Sequence, residues 1–202
     1  MGDSPATRAS LLVRLRDPRD GQAWGEFVDL YAPLVYRFGC KQGLQDADAA
    51  DLAQDTLRAV AGAIGKFDYD PRHGSFRGWL FTIVRNRLRD FLEKRGRQER
   101  GTGDTAMLDR LEQEPDRQEE LSKEWDREYE RQLLLTAAQR IRGQFEEKTW
   151  QAFWRTTVEG ESGKDVAQAL DMTVAAVYLA KSRVMARLKL AIRQLQAELQ
   201  ED

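Results

Sequence analysis

Apolar residues recur at helical spacing along most of the chain. Leu11, Leu12 and Leu15 predict a short amphipathic helix ending near Asp17-Pro18. From about Gln22 a longer one follows, with Trp24, Phe27, Val28, Tyr31, Leu34, Val35 and Phe38 on one stripe and Gly43 marking its end. ADAADLAQDTLRAVAGAI predicts a third, opened by Asp46 and Asp48, with Ala53, Leu57, Val60, Ala61 and Ile64 buried. Acids early in a helix suit the positive end of its dipole. KFDYDPRHG (66–74) reads as a loop broken by Pro71 and Gly74. A fourth helix then places Phe76, Trp79, Leu80, Ile83, Val84, Leu88, Phe91 and Leu92 on a single stripe.

After Gly96 the periodicity fails over a Gly-, Glu- and Asp-rich stretch with a break at Pro115. It resumes with Trp125, Tyr129, Leu133, Leu134, Ala138 and Ile141, then with Phe145, Trp150, Phe153, Trp154 and Val158 up to Gly160. In SGKDVAQALDMTVAAVYLAKSRVMARLKLAI, Ser162 can cap a helix with Asp165 three residues on. Val166 and Leu170 face inward, and Asp171-Met172-Thr173 turns into a helix starting near Val174. Small Ala167 at the crossing and β-branched Val177 ten residues later complete a helix-turn-helix pattern. The expected fold is all-α: two small helical domains (1–100 and 125–202) joined by an acidic linker (101–124), with the helix-turn-helix in the second.

The chain of 202 residues carries a net charge of −2, but unevenly. Residues 72–100 sum to +6, residues 101–130 to −7, and residues 174–195 hold five basic side chains and no acid. The +6 segment fits a solvated cationic face. It also fits a strand of nucleic acid, with Arg and Lys on phosphates and aromatic edges on unpaired bases. Nothing approaches a membrane span, no export signal is recognisable, and the cytoplasm is the default compartment. Cys40 and His73 are the single cysteine and histidine, so an intrachain disulfide and a Cys/His zinc site are excluded. Asp48, Asp51 and Asp55 lack the companions an acid/base or metal site needs, and no cofactor is expected.

The order Asp70, Arg72, Ser75, Phe76, Trp79, Leu80, Ile83, Asn86, Asp90, followed by a basic tail, resembles the promoter-melting segment of bacterial sigma factors of the small extracytoplasmic-function (ECF) type. D-A-x-D-L-x-Q-D-T resembles the patch with which those proteins grip core RNA polymerase, which implies Asp48, Asp51, Leu52, Gln54 and Asp55 as polymerase contacts. For minus-ten DNA the resemblance implies Arg72, His73, Phe76, Arg77, Trp79, Arg85, Asn86, Arg89 and Arg95, with loop 66–74, Phe76 and Asn86 forming a pocket for a flipped base. The second half resembles the family's helix-turn-helix domain, implying Thr173, Ala176, Tyr178, Lys181, Ser182, Arg183 and Arg187 at the minus-thirty-five element. Tyr178-Leu179-Ala180 departs from the short polar or basic residues of many relatives. The resemblance implies a non-enzymatic initiation factor whose partners are core polymerase, promoter DNA and an anti-sigma factor. The alternative is a helix-turn-helix regulator with a helical sensing or dimerisation domain.

Overall fold

The computed structural model describes residues 11–67, 75–98 and 115–199, with side chains described for all of these except 94–98 and 115–117. Among them every regular element is helical, so the chain is all-α. The helices are α1 (Leu11–Arg14), α2 (Gly21–Lys41), α3 (Asp46–Ala63), α4 (Phe76–Gln98), α5 (Pro115–Arg142), α6 (Glu147–Thr157), α7 (Gly163–Leu170) and α8 (Val174–Leu199). The described residues form two compact units, one ending at Gln132 and the other spanning Leu133–Ala197, with Glu198 and Leu199 grouped with the first.

In the first unit, Asp20 starts α2 by accepting a 2.9 Å hydrogen bond from the Ala23 amide, while Arg14 holds the same carboxylate at 2.8 Å. The expected stripe of α2 is core: Phe27, Tyr31, Leu34, Val35 and Phe38 are buried. Val28, expected among them, is exposed. Pro33 lies inside this helix and has no N–H to give the Asp29 carbonyl. The side-chain amide of Gln132 approaches that carbonyl at 3.5 Å. Gly39 lets α3 come close, since a Cβ there would lie 3.2 Å from Leu52 Cδ2 and 3.3 Å from Ala49 Cβ. On α3 the buried positions are Ala49, Leu52, Ala53, Thr56 and Val60. Leu57 is half-buried and Ala61 exposed, so the stripe is rotated from the one the sequence suggested. On α4 the core face is Phe76, Leu80, Val84, Leu88 and Leu92, each one turn on from the last.

The expected linker is helical from Pro115 onward, and residues 125–132 cluster with the first unit, not the second. The reason is aromatic packing. Trp125 is 1% exposed and meets Phe38 edge-on at 5.5 Å and Phe81 at 5.7 Å, and Tyr129 stacks with Tyr31. Acidity at Glu124 and Glu128 is matched by cations on α2: Lys41 lies 2.7 Å and Arg37 3.1 Å from the Glu128 carboxylate.

In the second unit Trp150 and Phe153 are buried on α6, whereas Leu134 and Val158, expected in stripes, are exposed. Ala152, Val166, Ala167, Val177 and Ala180 form one buried cluster, with Leu170 and Met172 packed on it. Helices α7 and α8 are therefore joined by a three-residue turn around a core of small side chains.

Candidate functional site

The acidic end of α3 is presented to solvent by the packing beneath it. Asp51, Gln54 and Asp55 are exposed and Asp48 is half-buried. Arg58 lies 3.2 Å from Asp55, a pair too exposed to fix the carboxylate strongly. Beside this face a surface groove of about 420 Å³ is lined by Ala32, Pro33, Tyr36, Ala50, Ala53, Gln54 and Leu57. The Tyr36 hydroxyl closes one side by donating to Asp46 at 3.0 Å, and its pKa is pushed up to about 12 chiefly by that bond. Leu52, expected as a surface contact, is 1% exposed: it packs under the acids against Gly39 and cannot touch a partner directly.

On α4 the expected nucleic-acid residues divide sharply. Asn86 and Arg89 are exposed, and Arg89 reaches Glu93 at 3.6 Å. Phe76 is 4% exposed, ringed by Phe27, Tyr31, Phe67 and Trp79 at 5.3–6.1 Å between centroids. The expectation that it meets an unpaired base is corrected: Phe76 is core, because four aromatic neighbours occupy the space a base would need. Trp79 is half-buried on Phe67 at 4.6 Å. Arg77 and Arg85 are already engaged by α5. Arg77 lies 3.3 Å from Asp126, with its guanidinium 5.2 Å from the centre of the Tyr129 ring, and Arg85 donates to Gln118 at 3.3 Å. Arg72, His73, most of the proposed pocket loop and the Arg95 side chain lie outside the described residues.

In the second unit the local geometry follows the sequence closely. The Ser162 hydroxyl accepts from the Asp165 amide at 3.2 Å and donates to its carboxylate at 2.7 Å. Asp171 takes the left-handed conformation (φ 51°, ψ 57°) that ends α7, and the Met172 amide bonds the Ala167 carbonyl at 2.9 Å. Thr173 starts α8 by accepting from the Ala176 amide at 3.1 Å. Thr173, Tyr178, Ser182 and Arg183 are exposed, whereas Ala176, Lys181 and Arg187 are half-buried. Arg187 donates to Gln144 at 2.6 Å.

Four participants were not singled out from the sequence: Gln118, Asp126, Gln144 and Gly163. The first two lay in a stretch whose acidity hid an aromatic helical stripe, of which Trp125 and Tyr129 were the visible signal. Gly163 follows a Ser cap at a position where any residue is ordinary, so only the Tyr178 ring, 3.0 Å from where its Cβ would lie, discloses its role. Among the described residues no group of acids, His and Cys is placed to hold a metal, and no helix is long and apolar enough to cross a membrane.

An acidic helical face beside a groove and a cationic helix with an exposed Asn, both in one all-α unit, coincide with a known family. Residues 27–98 match the family described as Sigma-70 region 2, so the first unit carries a sigma-70 region 2 domain. Two curated proteins specify the type. One is the "ECF RNA polymerase sigma factor RpoE" of Cereibacter sphaeroides, 38% identical over 42% of this chain and 46% of that protein. The other is the "ECF RNA polymerase sigma factor SigE" of Mycolicibacterium smegmatis, 36% identical over 37% of this chain and 28% of that protein. The ECF resemblance drawn from the motifs is thereby shown, and the family is one of transcription initiation factors, not enzymes. The chain spans under half the length of these relatives. A solved structure titled "Structure of CnrH in complex with the cytosolic domain of CnrY" is 21% identical over 91% of this chain and 96% of that one, with a TM-score of 0.35, a likeness too loose to bear on fold or partner.

Proposed function

We propose that the chain is a sigma factor that binds core RNA polymerase and directs it to specific promoters. The region 2 match across residues 27–98 carries this reading, because it covers both the acidic face of α3 and the cationic helix α4. In this reading Asp48, Asp51, Gln54 and Asp55 dock on polymerase, with the adjoining groove accepting apolar side chains of a partner helix. Leu52 supports that face from below. Asn86, Arg89, Arg77 and Arg85 engage the minus-ten strand, together with Arg72, His73 and Arg95, in keeping with the resemblance to the promoter-melting segment. Melting a duplex requires holding unstacked bases while cations follow the backbone. The second unit places α8 in the major groove of the minus-thirty-five element. A dedicated anti-sigma factor is proposed as the controlling partner on the family resemblance alone.

In vitro transcription with purified core polymerase tests the reading. The chain should make core enzyme initiate at defined start sites, which a helix-turn-helix regulator acting without polymerase contact cannot do. Charge reversal of Asp51 and Asp55 together should abolish co-purification with core polymerase while leaving helical circular dichroism unchanged. Undiminished co-purification would remove the α3 face from the interface.

A further inference from the structure

The first two turns of α8 have a surface unlike the rest of that helix. From Val174 to Ala180 there is no charged side chain, and three apolar ones stand out of the surface: Val174 39% exposed, Tyr178 57% and Leu179 53%. Val174 and Tyr178 are four residues apart and so share one face. Beyond them Lys181, Arg183, Arg187, Lys189 and Arg193 follow without an acid up to Leu195. The helix thus has an apolar tip and a cationic shaft.

The Tyr178 ring is also held in place. A Cβ on Gly163 would lie 3.0 Å from the ring's Cζ and hydroxyl oxygen and 3.1 Å from Cε2. Contacts of 3.0–3.4 Å are tighter than nine in ten real Cβ contacts, so a side chain at 163 would push the ring's hydroxyl end aside by a few tenths of an ångström. Gly163 lets that end rest on the first turn of α7, leaving the remaining ring surface open. Since it is the hydroxyl end that faces α7, the open part of Tyr178 offers carbon, not a hydrogen-bonding group.

Lys181 and Lys189, three and eleven residues on from Tyr178, share its face with no acid among them, so the occupant of this face is a polyanion; an apolar protein partner would leave them unmatched. On the major-groove edges of the bases the one apolar group is the 5-methyl of thymine. We propose that Val174 and Tyr178, the latter seated on Gly163, read thymine 5-methyl groups in the upstream promoter element, so that recognition there is by apolar contact. The proposal rests on the sigma-factor reading and names the chemistry by which its second unit chooses sequence.

The test uses the full chain with core RNA polymerase. Duplexes that support initiation are selected from a randomised upstream element, and each thymine of the selected element is then replaced by deoxyuridine, which removes the methyl and keeps base pairing. At one or two positions the replacement should weaken promoter binding about three- to fivefold, the size expected for one buried methyl-sized group. Tyr178→Phe should keep this thymine preference, Tyr178→Ala should abolish it at one position, and Gly163→Ala should reduce it by displacing the ring. Equal binding of thymine and deoxyuridine promoters at every position, with initiation otherwise normal, would overturn the proposal and leave the sigma reading intact. Persistence of the full preference in both Tyr178→Ala and Val174→Ala would also overturn it. Failure of the chain to confer any promoter-specific initiation would remove the sigma reading itself and the proposal with it.

Discussion

Glu128 shows how one buried side chain can tie an acidic segment to its domain. Its side chain is 3% exposed, with Lys41 and Arg37 on either side. Burial works to raise its pKa, but hydrogen bonds from Lys41 and Arg37 outweigh that effect and hold it below the ordinary glutamate value. The carboxylate is therefore more acidic folded than unfolded. Its contribution is fully present above about pH 4.5 and is lost as pH falls through the depressed folded value. Acid titration should accordingly show an early loss of stability in the native chain that Glu128→Gln lacks. At pH 7 that variant should be less stable by on the order of 2 kcal/mol, between an exposed pair and a fully buried one, since Lys41 remains substantially solvated. Chemical denaturation at both pH values provides the check. Gly39 makes a steric counterpart: Gly39→Leu should lower stability by about 1–3 kcal/mol through overpacking against Leu52, Ala49 and Leu44, read as a lowered denaturation midpoint.

Between helices, the main finding is competition for the cations of α4. Arg77 and Arg85 have protein partners on α5, so a DNA strand using them must displace Asp126, the Tyr129 ring and Gln118. A carboxylate and a phosphate satisfy a guanidinium in the same way, and the pairs are exposed enough to exchange. Replacing Asp126 by Asn should raise affinity for a single-stranded minus-ten oligonucleotide about two- to fivefold at low salt, with the gain shrinking as salt screens the pair. Fluorescence anisotropy at two ionic strengths measures this. An unchanged affinity would show that Arg77 does not contact the strand. The sequence showed the cations and the acids of these two segments as opposite charge runs but could not show that they meet, because pairing across some fifty residues is set by packing of the aromatic stripe.

At the level of the whole chain, the boundary between units lies near Gln132 and not near residue 100. A fragment ending at residue 100 loses Trp125 and Tyr129 and uncovers Phe38, Phe81 and Tyr31. It should be less stable than fragment 1–132 by about 3–5 kcal/mol, the cost typical of removing a buried Trp, and more prone to aggregate. Thermal unfolding of the two fragments decides this. Equal midpoints would mean that α5 contributes little to the first unit.

The sequence by itself determined the all-α class, the position of each helical stripe to within a turn, the Ser162 and Asp171 boundaries of α7 and the family of the first unit. Those properties depend on local periodicity, capping chemistry and short motifs, all of which are read within a few residues. Tertiary structure alone decided that Leu52 is core, since a helix position one step from the stripe is buried or exposed according to its neighbours, and that Phe76, already on the expected stripe, is closed off from a base by four aromatic rings. It also decided that α5 starts at Pro115 and packs Trp125 and Tyr129 into the first unit, because a stripe of apolar residues does not say which domain it faces. And it placed Tyr178 over Gly163, a contact across a turn that a side chain at 163 would crowd, which no periodicity can signal.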